Sequence, residues 1–196
     1  MFSDISHERQ QSLLRQRNLF ALTSAGLGLA LVVAGSLAAT RDREVVLVKV
    51  YNHPREKVFA AWLDPVALGA WYGPDGLAIE TFEADIREGG SWRFDMVGVF
   101  EGRAQRFPNL IRFIQIVPNE RIVMDHGTPD PDDPDRFHVV VTFDAQSDGK
   151  TVLTLRQLHP SRERRGVVIG FGAVEYGLQT LDSLGAWLDA HTTPAA

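Results

Sequence analysis

Hydrophobic and polar positions along the chain fall into three regimes. Residues 19–40 are an unbroken apolar run, residues 44–158 alternate in short stretches, and the last thirty residues repeat at three and four. The stretch 44–51, EVVLVKVY, is β-branched and reads as a strand. Asn52-His53-Pro54 ends it and opens a helix in which Val58, Phe59, Trp62 and Leu63 share a face. Asp64-Pro65 breaks that helix. A second short one runs through Leu68 and Trp71 and stops at Gly73-Pro74-Asp75-Gly76. From Leu77 the period is two: Ala78, Phe82, Ala84 and Ile86 are expected on one side, with Glu80 the exception, and Glu83 and Asp85 on the other. Gly89-Gly90 turns the chain, and Trp92, Phe94 and Met96 then alternate with Arg93 and Asp95. Residues 109–117, 121–126, 136–144 and 151–158 give further strands, the last pair joined at Asp148-Gly149. Ser161 can cap the final element, one long helix striped by Phe171, Val174, Leu178, Leu181, Leu184 and Leu188.

Strands that follow one another through short turns favour an antiparallel sheet, so the fold class is α+β. A single helix cannot tile six or more strands. The sheet is therefore expected to curl around the C-terminal helix, and any volume left uncovered becomes a cavity. That expectation carries the functional reading: a small hydrophobic or aromatic molecule held inside, without covalent chemistry.

The apolar run divides the chain into a tail at 1–18, a membrane-spanning helix at 19–40 and a domain at 44–191. As a helix the run would be about 33 Å long, enough to cross a bilayer. A cleaved signal peptide, with Ser36-Leu37-Ala38 as the cleavage site, and a buried helix are the competing readings. Arg9, Arg15 and Arg17 on one side face Arg41, Arg43, Lys49 and Arg55 on the other, which leaves the orientation open. The expected localisation is a single-pass membrane protein, or a cytoplasmic one if the run is no anchor.

Composition narrows the chemistry. A net charge of -5 with scattered basic residues does not favour nucleic-acid binding. The trio Arg162, Arg164 and Arg165 reads as a solvated helix start. With no cysteine, thiolate catalysis, disulfides and cysteine metal sites are excluded. The six histidines show no metal spacing, and the acidic run Thr128–Asp135 lacks the glycine and terminal glutamate of a calcium loop, so no metal or cofactor is expected. His126 shares strand parity with Ile122 and Met124 and can face inward; Glu175 beside the helix stripe reads as a solvated acid. The candidate ligand-binding residues are Trp71, Trp92, Phe94, Met96, Met124, His126 and Phe171. No catalytic residue is assigned.

Several motifs also carry a resemblance. Pro54 through Trp62 followed by Asp64-Pro65, Trp71-Tyr72-Gly73-Pro74-Asp75-Gly76, Gly89-Gly90-Ser91-Trp92 with Met96, Ile116 through Ile122, and Gly172-Ala173-Val174-Glu175 with Gln179 through Asp182 are similar to the START-like (SRPBCC, helix-grip) superfamily. Within it the chain resembles the branch homologous to the C-terminal domain of the activator of the 90-kDa heat-shock chaperone ATPase. The resemblance implies a helix-grip fold over residues 44 to 190. It also implies a chaperone as a possible partner and a co-chaperone-like ATPase stimulator as an alternative function; cyclases and hydrolases of the superfamily give a third. Tyr72 stands where the family usually has a second tryptophan, and Arg112-Phe113-Ile114-Gln115 replaces its tyrosine-containing run. Residues 14 to 48 also resemble the inner-membrane anchor of conjugation pilus-assembly proteins.

Overall fold

The computed structural model describes residues 40–100 and 102–191. Seven strands form one antiparallel sheet in the order β1-β7-β6-β5-β4-β3-β2. They are β1 (Glu44–Tyr51), β2 (Leu77–Ala84), β3 (Ser91–Phe100), β4 (Arg103–Val117), β5 (Arg121–Gly127), β6 (Phe137–Ala145) and β7 (Thr151–Leu158). Between β1 and β2 lie the helices α1 (Arg55–Ala61) and α2 (Pro65–Trp71). After β7 come α3 (Arg162–Phe171) and α4 (Ala173–Ala190). The architecture is α+β, a curved antiparallel sheet gripping a C-terminal helix.

The first strand pairs with the last, β1 with β7, from Glu44 opposite Leu158 to Tyr51 opposite Thr151. Alternation then sorts the side chains. Val45, Leu47 and Tyr51 are buried on the concave face, while Val46, Val48 and Val50 stand about half exposed on the convex one. Trp92 and Phe94, Ile111 and Phe113, Ile122 and Met124, and Val139, Val141 and Phe143 continue the concave face across the sheet. Leu181, Leu184 and Leu188 of α4 are fully buried against it. Tyr51 Oη donates to the carbonyl of Leu181 at 2.8 Å, which ties strand to helix where the phenol would otherwise lack a partner.

Local chemistry places the two short helices. Asp64 caps α2 by accepting from Val66 N at 2.8 Å, with Pro65 at its first position. Trp71 Nε1 donates to Ala61 O at 3.0 Å, which fixes α2 against α1.

Three expectations are corrected. In β2 the inward side carries Leu77 and Ile79 instead of Ala78 and Phe82. The register shifts between Thr81 and Glu83, and a bulge exchanges the faces. Glu80 is then no exception: it faces outward and pairs with Arg106 at 2.8 Å. The C-terminal element is two helices, because Gly172 adopts φ 102°, a left-handed conformation that ends α3 and opens α4. Ser161 caps α3 as expected, accepting from Arg164 N. Finally, among the described residues no helix is long and apolar enough to cross a membrane. The longest described, α4, has 18 residues and carries Glu175, Asp182 and Asp189. The expectation of a single-pass membrane protein is therefore not upheld. The segment 19–40, on which it rested, lies outside the described residues except for Thr40.

Candidate ligand cavity

The two ends of α4 meet the sheet differently. Its last three turns present leucines. Its first turns present Ala173, Tyr176, Gly177 and Thr180, and under them a cavity of about 320 Å³ remains. Gly177 lets the helix approach β1, since a Cβ there would lie 2.4 Å from Leu47 Cδ1. The short side chains of Ala173 and Thr180 leave the neighbouring space open.

The strands supply an apolar wall: Leu47, Leu77, Met96, Phe107, Phe137 and Leu155 all line the cavity. Val99, near the end of β3, and Phe171, at the end of α3, rim it and are 69% and 57% exposed. Exposed large apolar groups on two sides of an opening mark a mouth through which an apolar guest can pass. Pro74 and Asp75 of the turn after α2 complete the rim.

Tyr72 also lines the cavity. It leaves α2 in an extended conformation, φ -73° and ψ 133°, so its ring departs from the direction of Trp71 and enters the interior. There it stands edge-on to Trp62, Trp92 and Phe94, with ring centroids 6.3, 5.1 and 5.6 Å away. Burial pushes its phenol well above the usual tyrosine range. Trp62, which also lines the cavity, has an indole N–H without an oxygen or nitrogen acceptor among the described residues.

His126 projects from β5 into the same space, 6.4 Å from Tyr72 between ring centroids. Its Nε2 meets Asn109 Oδ1 at 2.9 Å. Desolvation, with Arg136 nearby, holds its pKa down at about 4, Asp133 opposing only in part. The ring is neutral at physiological pH. Phe137 lies between His126 and the buried His159, 5.0 Å from each.

Of the residues singled out by sequence, Met96, His126 and Phe171 line the cavity. Trp71, Trp92, Phe94 and Met124 do not; they are buried in the packed core, Trp92 and Phe94 stacked 4.0 Å apart beneath Tyr72. Sequence reasoning passed over Tyr72, Phe107, Phe137, Gln157 and Tyr176. Strand parity offers a signal for two of them, since Leu153, Leu155 and Gln157 share one side of β7 and Phe137 shares a side with Val139. Glu175 is exposed, and among the described residues no His/Asp/Glu cluster is arranged to hold a metal.

The family described as "Activator of Hsp90 ATPase homolog 1-like protein" matches residues 52–189, more than half of the chain. The chain belongs to this family. A second family, described as "TraE protein", matches only residues 1–61. No match is found among curated proteins. Among solved structures, a protein from Chromobacterium violaceum is 26% identical, with a TM-score of 0.61 over 74% of this chain and 96% of that one. A protein from Arthrobacter aurescens is 18% identical, with a TM-score of 0.69 over 79% and 90%. An AHSA1 protein from Silicibacter pomeroyi is 23% identical, with a TM-score of 0.59 over 76% and 99%. The last two likenesses concern the fold alone.

Proposed function

We propose that this member of the Hsp90-activator-like family binds a small apolar or aromatic molecule in the cavity and performs no covalent chemistry on it. The observation that carries the reading is the cavity itself: about 320 Å³, walled mainly by aliphatic and aromatic side chains and open at an apolar mouth. A dry cavity of roughly 150 Å³ takes up benzene, so this one suits a guest of about two rings. Met96, His126 and Phe171 are proposed as ligand contacts, with Tyr72, Phe137 and Tyr176. Trp71, Trp92, Phe94 and Met124 support the wall from behind.

Two properties favour binding over catalysis. A general acid or base works best with a pKa near the operating pH. His126, at about 4, and Tyr72, raised by burial, lie on opposite sides of that value. Both are suited to remain neutral and form hydrogen bonds. This argues against the cyclase or hydrolase alternative.

Calorimetric titration with naphthalene tests the proposal. At about 0.5 kcal/mol per atom, ten carbons give roughly 5 kcal/mol, a Kd near 0.2 mM. Binding that is abolished by Thr180→Leu supports the reading; no heat up to the solubility limit, or identical heat from that variant, refutes it.

A second reading, stimulation of a chaperone ATPase, is favoured by one surface feature. Val46, Val48 and Val50 form an exposed row on β1, the strand at one end of the sheet order, the kind of surface to which a partner segment can add. Its measurement is the chaperone's ATPase rate with and without this protein; an unchanged rate removes it.

A further inference from the structure

Among the polar groups that line the cavity, Tyr72 and His126 face each other, and their hydrogen-bond arithmetic selects a functional group. Asn109 Nδ2 donates to the carbonyl of Phe107 at 2.7 Å. The opposite amide orientation would set two oxygens against each other. Oδ1 is therefore the atom turned toward His126 Nε2, at 2.9 Å, and as an acceptor it requires the hydrogen on Nε2. In a neutral ring, Nδ1 is then a bare acceptor. Neither His126 Nδ1 nor Tyr72 Oη has a hydrogen-bond partner among the described residues, and both residues line the cavity.

We propose that the ligand carries one uncharged hydroxyl, alcohol or phenol, seated between Tyr72 and His126 with the rest of the molecule in the apolar part of the cavity. The proposal rests on the cavity being a binding site, as argued above. A hydroxyl donates to Nδ1 and accepts from the Tyr72 O–H, which satisfies both groups with one atom. A ketone offers no hydrogen to Nδ1. A carboxylate offers none either, and it finds no Lys or Arg among the lining residues, whose one charged side chain is Asp75. An ammonium would meet the same desolvation that disfavours charge on His126, to which Arg136 adds and which Asp133 opposes only in part. Leaving a buried polar group unpaired costs more than pairing it gains, so the Tyr72 and His126 pair discriminates against the wrong ends more strongly than it rewards the right one.

The test compares naphthalene, 1-naphthol and 1-naphthoate at pH 7.5 by calorimetry on the full chain. The expected order is 1-naphthol tighter than naphthalene by about tenfold, and 1-naphthoate weaker than naphthalene by at least that factor. Tyr72→Phe and His126→Phe should each shrink the ratio of naphthol to naphthalene affinity, whatever they do to naphthalene itself. Nitrogen-15 NMR of His126 gives a second readout that needs no variant: a proton on Nε2, and a Nδ1 shift that moves on adding 1-naphthol but not naphthalene. Equal affinity for naphthol and naphthalene, or an advantage untouched by Tyr72→Phe, overturns the hydroxyl assignment and leaves the cavity reading standing. Failure of all three compounds to bind overturns both.

Discussion

The two halves of α4 have the same backbone and face the same concave sheet, yet one half closes the core and the other roofs a cavity. From Leu181 onward the helix buries Leu181, Leu184 and Leu188 with no exposed surface, and Gly185 packs against Tyr51. Before Leu181 the inward positions are Ala173, Tyr176, Gly177 and Thr180, three of them small, and the apolar residues Val174 and Leu178 of that half are 38% and 37% exposed. Helical periodicity alone gives each half an apolar stripe. What separates them is side-chain volume at the inward positions. Stability is concentrated in the leucine half, and room for a guest arises where small residues withhold volume.

The largest expected difference tests that separation directly. Leu184→Ala removes a fully buried side chain and should cost about 2–5 kcal/mol in urea unfolding. Leu178→Ala, the same chemical change on the roof, should cost no more than about 0.5 kcal/mol. Equal costs would erase the contrast.

Acid should weaken the cavity side first. Folding depresses the His126 pKa from 6.5 to about 4. Between those values the unfolded chain binds more protons than the folded one, so stability rises with pH across the window and is complete above pH 6.5. The expected span is on the order of 3 kcal/mol. His159, lowered by burial and by Arg164 and Arg165, acts in the same direction. Unfolding midpoints measured from pH 4 to 7 should rise, and His126→Phe should flatten the slope; an unchanged slope would remove His126 from the account.

The elbow gives a smaller effect. Gly172→Ala forces a side chain into φ 102°, with its Cβ 3.1 Å from Tyr176 Cε2. A loss of about 1–2 kcal/mol is expected, together with faster amide exchange in α3, which buries none of its residues fully. The smallest effect belongs to Ala173→Leu, which adds apolar volume to the roof. It should change stability by less than about 1 kcal/mol while weakening naphthalene binding, so that stability and binding come apart.

Much of the fold is legible in the sequence because strand alternation and turn chemistry are local. EVVLVKVY, the Trp92-Phe94-Met96 parity, Asp64-Pro65 and the Ser161 cap all encode their outcome within a few residues. The β2 face was misread because a bulge moves the parity without leaving a mark in the hydrophobic pattern. The single long helix was misread because Phe171, Val174 and Leu178 extend the leucine spacing across Gly172, and a left-handed glycine does not interrupt periodicity. The site was only partly legible for a different reason. Large apolar residues such as Trp71 and Trp92 are the obvious candidates, but they pack the core because they are large. A cavity is instead announced by what is missing: the short side chains of Ala173 and Thr180 on one helix face, beside Gly177, where the helix closes onto Leu47.

Backbone amide chemical shifts followed during a naphthalene titration test the central claim most directly. The predicted result is perturbation of Tyr72, His126, Tyr176 and Gly177, with Leu184 and Leu188 unmoved. Silence at saturation, or shifts confined to the leucine half or to Val46, Val48 and Val50, would contradict it.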